Sequence, residues 1–204
     1  MPRRTIGLVV VLGVIAGGAG GLAACDRAPD PAGAPASRTD VAKVATGQAV
    51  STDAFCDLHT SDAAGQAFHW PELAGGASAP APPATWRWVN IWATWCKPCI
   101  EEMPRLLAWR DKLAAAGKQV ELTFVSVDDT DAEVTAFRAA HPSTPPTLRI
   151  TNAATRTAWL KTFGLDDGAI PIQLFVSAAN KLRCARAGGI REKDYAVVDK
   201  LLGE

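Results

Sequence analysis

Large apolar residues along this chain fall into short runs, separated by stretches rich in Ala, Gly, Pro and polar side chains. Trp86-Arg87-Trp88-Val89-Asn90-Ile91-Trp92 reads as a buried strand, and 120–127 as a second. Between them, 96–116 has helical spacing and ends at Gly117, a plausible C-terminal cap. Residues 131–140 predict another helix, capped by Thr130 or Asp129, with Val134 and Phe137 facing inward. A proline-rich break at 141–146 precedes a short extended piece at 147–150 and a helix at 153–163. Residues 172–176 and 182–187 read as two strands joined by a turn at 177–181, and 192–202 as a closing helix. Upstream, Phe55, Leu58, Phe68 and Trp70 are the apolar points of 54–73, and 62–65 looks like the turn of a hairpin. Residues 71–73 begin a short helical turn, and 75–85 form a loop. The predicted order is hairpin, β, α, β, α, loop and helix, β, β, α, with no internal repeat.

The first 50 residues stand outside this pattern. Arg3 and Arg4 precede an apolar, glycine-rich run from Ile6. The run ends in Leu22-Ala23-Ala24-Cys25, so 1–24 reads as an export signal. Those four residues resemble a bacterial lipoprotein cleavage box, in which Cys25 becomes the lipidated first residue; the competing reading is a retained N-terminal anchor. Residues 25–50 are rich in Ala, Pro, Gly, Ser and Thr and cannot bury enough surface to offset the entropy of ordering. They read as a flexible tether, leaving 51–204 as one domain with one core. Asp26 points to the inner membrane, as Asp does at that position in enterobacterial lipoproteins.

Composition narrows the function classes. Lys plus Arg number 21 and Asp plus Glu number 21, so formal net charge is zero, and no long block of one sign occurs. That argues against nucleic acid as a partner. Export implies an oxidising compartment in which disulfides persist. Of the 5 cysteines, Cys25 is set aside for lipid. Cys96 and Cys99 stand where the first strand turns into its helix. Helix N–H groups and the positive end of the helix dipole stabilise a thiolate there, and a spacing of three lets both sulfurs join with little backbone movement. Cys56 and Cys184 remain, as a disulfide closing a long loop or as two separate buried thiols. No second Cys-x-x-Cys exists, and His59, His69 and His141 are scattered, so no metal site and no cofactor are expected.

The run from Asn90 to Cys99, followed by Glu102-Met103-Pro104, resembles the active-site signature of the TlpA/ResA-like thiol–disulfide oxidoreductases, the exported, membrane-anchored branch of the thioredoxin superfamily. The 55–73 segment resembles that branch's N-terminal addition, Phe124-Val125-Ser126-Val127-Asp128 its second core strand, and Gly168-Ala169-Ile170-Pro171 its cis-proline loop. The resemblance covers 54–204. It implies an α/β thioredoxin fold, a central mixed sheet flanked by helices, with an N-terminal β-hairpin extension. It also implies roles. Cys96 is the nucleophile and Cys99 the resolving thiol. Glu102, one turn beyond Cys99, exchanges a proton with it; the competing reading is a solvated carboxylate. Lys97, Pro98 and Trp95 tune the redox centre or its contacts, and Ile170 and Pro171 bind the partner chain. Two departures stand out. Asn90 occupies the place of the buried Asp of cytosolic thioredoxins, as is usual in this branch, and Ile100 stands where a basic residue is common.

The resemblance further implies a lipid-anchored reductant on the periplasmic side of the membrane. It would receive electrons from a membrane thiol donor and pass them to oxidised exported proteins, apocytochrome c in cytochrome c biogenesis or copper-site assembly proteins. The alternatives are a non-enzymatic copper-handling dithiol and a peroxiredoxin-class peroxidase. The latter lacks the Pro-x-x-x part of its motif at 89–92.

Overall fold

The computed structural model describes residues 51–82, 84–165 and 168–203. The expected lipidation site Cys25, the export signal 1–24 and the tether 25–50 lie outside the described residues.

A four-residue helix, Thr52–Phe55 (α1), starts where the Ser51 hydroxyl accepts from the Ala54 N–H. A two-residue strand, Leu58–His59 (β1), follows. The long apolar run becomes Trp86–Trp92 (β2), and a parallel crossover through Lys97–Ala115 (α2) leads to Val120–Ser126 (β3). Gly117, at φ 80°, ends that helix in the left-handed region that glycine tolerates. Asp131–Ala140 (α3) begins at a capping box, in which Thr130 Oγ1 accepts from Glu133 N–H while the Glu133 carboxylate accepts from Thr130 N–H. Then come Thr147–Arg149 (β4), Ala153–Lys161 (α4), Ile172–Val176 (β5), Leu182–Ala187 (β6) and Tyr195–Leu201 (α5).

These strands form one mixed six-stranded sheet in the order β1-β6-β5-β2-β3-β4. β2, β3 and β4 run parallel, whereas β5 is antiparallel to β2 and β6 to β5. The expected α/β thioredoxin fold is therefore present. Central β5 is buried along its whole length, which is why it reads as an apolar run rather than an alternating one. The core is aromatic. Trp88 stacks on Phe175 with ring centroids 5.3 Å apart and meets Trp109 edge-on at 5.4 Å, and Trp109 stacks on Tyr195 at 4.1 Å.

The N-terminal extension is not a hairpin closed on itself. Asp57 N–H donates to Ala185 O at 2.8 Å and Thr60 N–H to Arg183 O at 2.9 Å. Beyond the turn, Leu182 N–H donates to Gln66 O at 3.0 Å and Phe68 N–H to Asn180 O at 2.9 Å. Both arms thus pair with the edge of β6 and the turn before it. A period-two pattern with a turn between arms describes a hairpin and two arms laid along a third strand equally well; the exposed edge of β6 decides between them. The short helical turn also falls later than expected, as a 3-10 turn at Ala74–Gly76. Cys56, which ends α1, is bonded to Cys184 in β6 across a sequence separation of 128, with Cα atoms 5.5 Å apart. Among the described residues no helix is long and apolar enough to cross a membrane.

Candidate active site

The loop 93–95 carries the chain from the end of β2 into α2. Its conformation is held from below by Asp128, 2% exposed, just past β3. The Asp128 carboxylate accepts from Thr94 N–H at 3.0 Å and Thr94 Oγ1–H at 2.7 Å, and from Ser126 Oγ–H at 2.6 Å. Cys96 then sits at the N-cap of α2, where its sulfur accepts from Cys99 N–H at 3.3 Å, and Pro98 lies in the first turn, where its missing N–H costs nothing. Cys96 and Cys99 are joined in a disulfide with Cα atoms 5.3 Å apart. Cys96 is 4% exposed and Cys99 is fully buried. The first cysteine is thus the more open of the two, though far less open than a helix start suggests.

Around this pair the surface is mixed. Trp95 is 66% exposed, the one large exposed hydrophobic among the described residues. Lys97 reaches toward Glu101, one turn on, at 3.7 Å; both are exposed, so the pair contributes little. Ile100, half-buried, packs at the edge of the core. Trp92 is fully buried, its indole N–H donating to Thr147 Oγ1 at 3.0 Å.

Glu102 is not a solvated carboxylate. Its place in α2 matches the buried stripe Cys99, Met103, Leu106, Trp109 and Leu113, and it is 1% exposed. Its Oε1 accepts from Asn90 Nδ2 at 2.7 Å and Gln173 Nε2 at 3.0 Å, and its Oε2 accepts from Ile190 N–H at 3.0 Å. Burial pushes the carboxyl above its ordinary value, and the hydrogen bonds from Asn90, Ile190 and Gln173, with the more distant Arg105 charge, partly offset that rise.

The Ile170–Pro171 bond is cis and opens β5. Pro171 O accepts from Gly188 N–H at 2.7 Å. A Cβ placed on the next residue, Gly189, would lie 2.8 Å from Glu102 Oε2 and 3.5 Å from Pro171 Cγ. The cis-proline loop, Gly189 and the Glu102 carboxylate therefore converge one helical turn past the disulfide. Ile170 is half-buried and Pro171 buried.

Sequence reasoning did not single out Gln173. Its signal was present: one amide inside the otherwise apolar run Ile172-Gln173-Leu174-Phe175-Val176. Nor did it single out Asp128 as the anchor of the loop before Cys96.

A thioredoxin-related protein from Neisseria meningitidis serogroup B, seen in a crystal structure, is 30% identical to this chain. The match covers 65% of this chain and 98% of that one, with a TM-score of 0.52. The chain belongs to the thioredoxin superfamily. The thioredoxin-like protein YneN of Bacillus subtilis is 37% identical over 60 residues, 29% of this thioredoxin-superfamily chain and 35% of that protein. The thiol-disulfide oxidoreductase ResA of Bacillus anthracis is 41% identical over 49 residues, 24% of this chain and 27% of that protein. The chain thus spans about a third or less of the length of these curated relatives. No family model matches it.

Proposed function

We propose that this protein is a thiol–disulfide oxidoreductase that reduces exported proteins. The observation that carries the reading is the Cys96–Cys99 disulfide at the start of α2, with the buried Glu102 carboxyl one turn beyond Cys99. In the reduced form, helix N–H groups and the helix dipole favour a thiolate at Cys96. That thiolate attacks one sulfur of a partner's disulfide; the Cys96–partner bond forms, the partner's own bond breaks, and its other sulfur leaves as a thiolate. Cys99 gives up its proton toward Glu102 and attacks Cys96 Sγ. The Cys96–Cys99 bond forms, the partner's second thiolate is released and takes up a proton, and two electrons have passed to the partner. The cis-Pro171 loop receives the partner's backbone as an added strand, and Trp95 gives it a flat apolar contact. Lys97 and Pro98 tune the centre.

The resemblance supports a finer reading. The chain is anchored through lipid on Cys25 on the periplasmic side of the inner membrane. A membrane thiol donor re-reduces the disulfide, and the partners are apocytochrome c or copper-site assembly proteins. A redox titration of the dithiol tests the direction. A potential well below that of strongly oxidising disulfide donors is expected; a value near theirs, about −120 mV, would overturn the reductant role. Labelling with a radioactive fatty acid, wild type against Cys25→Ala, tests the anchor; equal labelling would sink it.

A further inference from the structure

Beneath the dithiol, two side-chain amides from two strands converge on one carboxylate oxygen, and an indole N–H bonds to one of those amides. Alternation along β2 puts Trp88 and Asn90 on the same face, and the register pairs Asn90 directly with Gln173 of β5. All three face α2. Trp88 Nε1–H donates to Gln173 Oε1 at 2.8 Å, Asn90 Nδ2 donates to the same oxygen at 3.1 Å, and Gln173 Nε2 donates to Glu102 Oε1.

The polarity of this chain is set at one end. An indole nitrogen can only donate, so the atom facing Trp88 must be an acceptor. Rotating the Gln173 amide by half a turn would put its NH₂ against the Trp88 N–H and its carbonyl against Glu102 Oε1, two repulsions in place of two bonds. With Gln173 Oε1 fixed toward Asn90, the Asn90 amide must also present Nδ2. That orientation leaves Asn90 Oδ1 buried without a partner among the described residues, a cost accepted in placing both N–H groups of the face on Glu102. Asn90, Gln173 and Trp88 are all fully buried, so water does not compete.

We propose that Gln173, its amide orientation locked by Trp88, is a positioning residue that holds Glu102 in its proton-accepting carboxylate form beneath the dithiol. The proposal rests on the oxidoreductase reading above and adds a device to it. Donors to a carboxylate favour the ionised form and oppose the rise that burial imposes. The groups that face Glu102 from β2, β5 and the 188–190 loop are Asn90, Gln173 and the Ile190 N–H, none of which titrates. On α2 itself the two cysteines and Arg105 are the ionisable neighbours.

The test titrates the infrared band of the protonated carboxyl in the reduced protein, assigned by its loss in Glu102→Gln. In Gln173→Met, which keeps length and removes the donor, its midpoint moves up by about one pH unit, roughly the tenfold change expected for one lost bond to a charged group. The pH profile of disulfide closure, measured by stopped flow, moves with it, and does not move when Gln173→Met is placed on Glu102→Gln. Trp88→Phe keeps the ring stack and frees the amide to turn, so it shifts the midpoint the same way by a smaller amount; it decides the matter if Gln173→Met fails to fold. An unchanged midpoint in the folded variants overturns the proposal. A shifted band with an unshifted closure profile overturns the link to the dithiol. Failure of the wild-type protein to reduce any protein disulfide overturns the functional reading instead, and is read in a separate assay.

Discussion

Glu102 is the residue at which stability and chemistry pull in different directions. Its carboxyl is raised by burial above the ordinary 4.5, so the folded protein holds that proton to higher pH than the unfolded chain does. Stability therefore falls as pH rises from the ordinary carboxylate value through the folded value, and the loss is complete above it. Glu102→Gln removes the ionisation. Its melting temperature is predicted to gain on that of the wild type across this window and to level off above it; a difference that stays flat with pH would contradict the account. Gly189 is tied to the same carboxyl. A methyl group there would press on Glu102 Oε2 and Pro171 Cγ, so Gly189→Ala is expected to cost about 1–3 kcal/mol in chemical denaturation and to slow disulfide closure. The cysteine pair and the helix face of Glu102 were legible in the sequence, because they depend on spacings of three within one helix. The donors on Glu102 were not, because Asn90 and Gln173 meet only through a strand pairing 83 residues long in sequence.

At the level of elements, most of the chain could be read from its periodicity. β2, α2, β3, α3, β5 and β6 fall where apolar runs and caps put them, each within a residue or two. Local chemistry explains this: Thr130 and Glu133 close a capping box inside four residues. Thr130→Ala is expected to lower stability by about 1 kcal/mol, seen as a lower denaturant midpoint with unchanged slope. The N-terminal extension was misread because its partner, β6 and the turn before it, lies more than 110 residues away and leaves no local trace. The Cys56–Cys184 bond fastens that extension to the sheet edge. Replacing both cysteines by alanine is predicted to cost about 4–5 kcal/mol in the chain-entropy model, given the separation of 128. A loss below about 1 kcal/mol would mean that the extension is held by its backbone pairing alone.

Across the whole molecule, the thioredoxin fold brings three distant stretches to one place: the turn of α2 that carries Glu102, the cis-Pro171 loop before β5, and the 188–190 backbone after β6. Each is unremarkable by itself. Together they meet one helical turn past a disulfide whose first cysteine is 4% exposed and whose second is fully buried. The two steps assigned to Cys96 and Cys99 predict different failures. Cys99→Ser retains attack and loses resolution, so mass spectrometry under non-reducing conditions should find it trapped on a protein substrate through Cys96. The central claim, that this pair exchanges thiol for disulfide, is tested most directly by reduction of insulin with dithiothreitol as electron source. The wild-type protein is predicted to accelerate the precipitation of insulin chains and Cys96→Ser to leave the background rate unchanged. Equal rates for the two, or no acceleration by either folded protein, would contradict it.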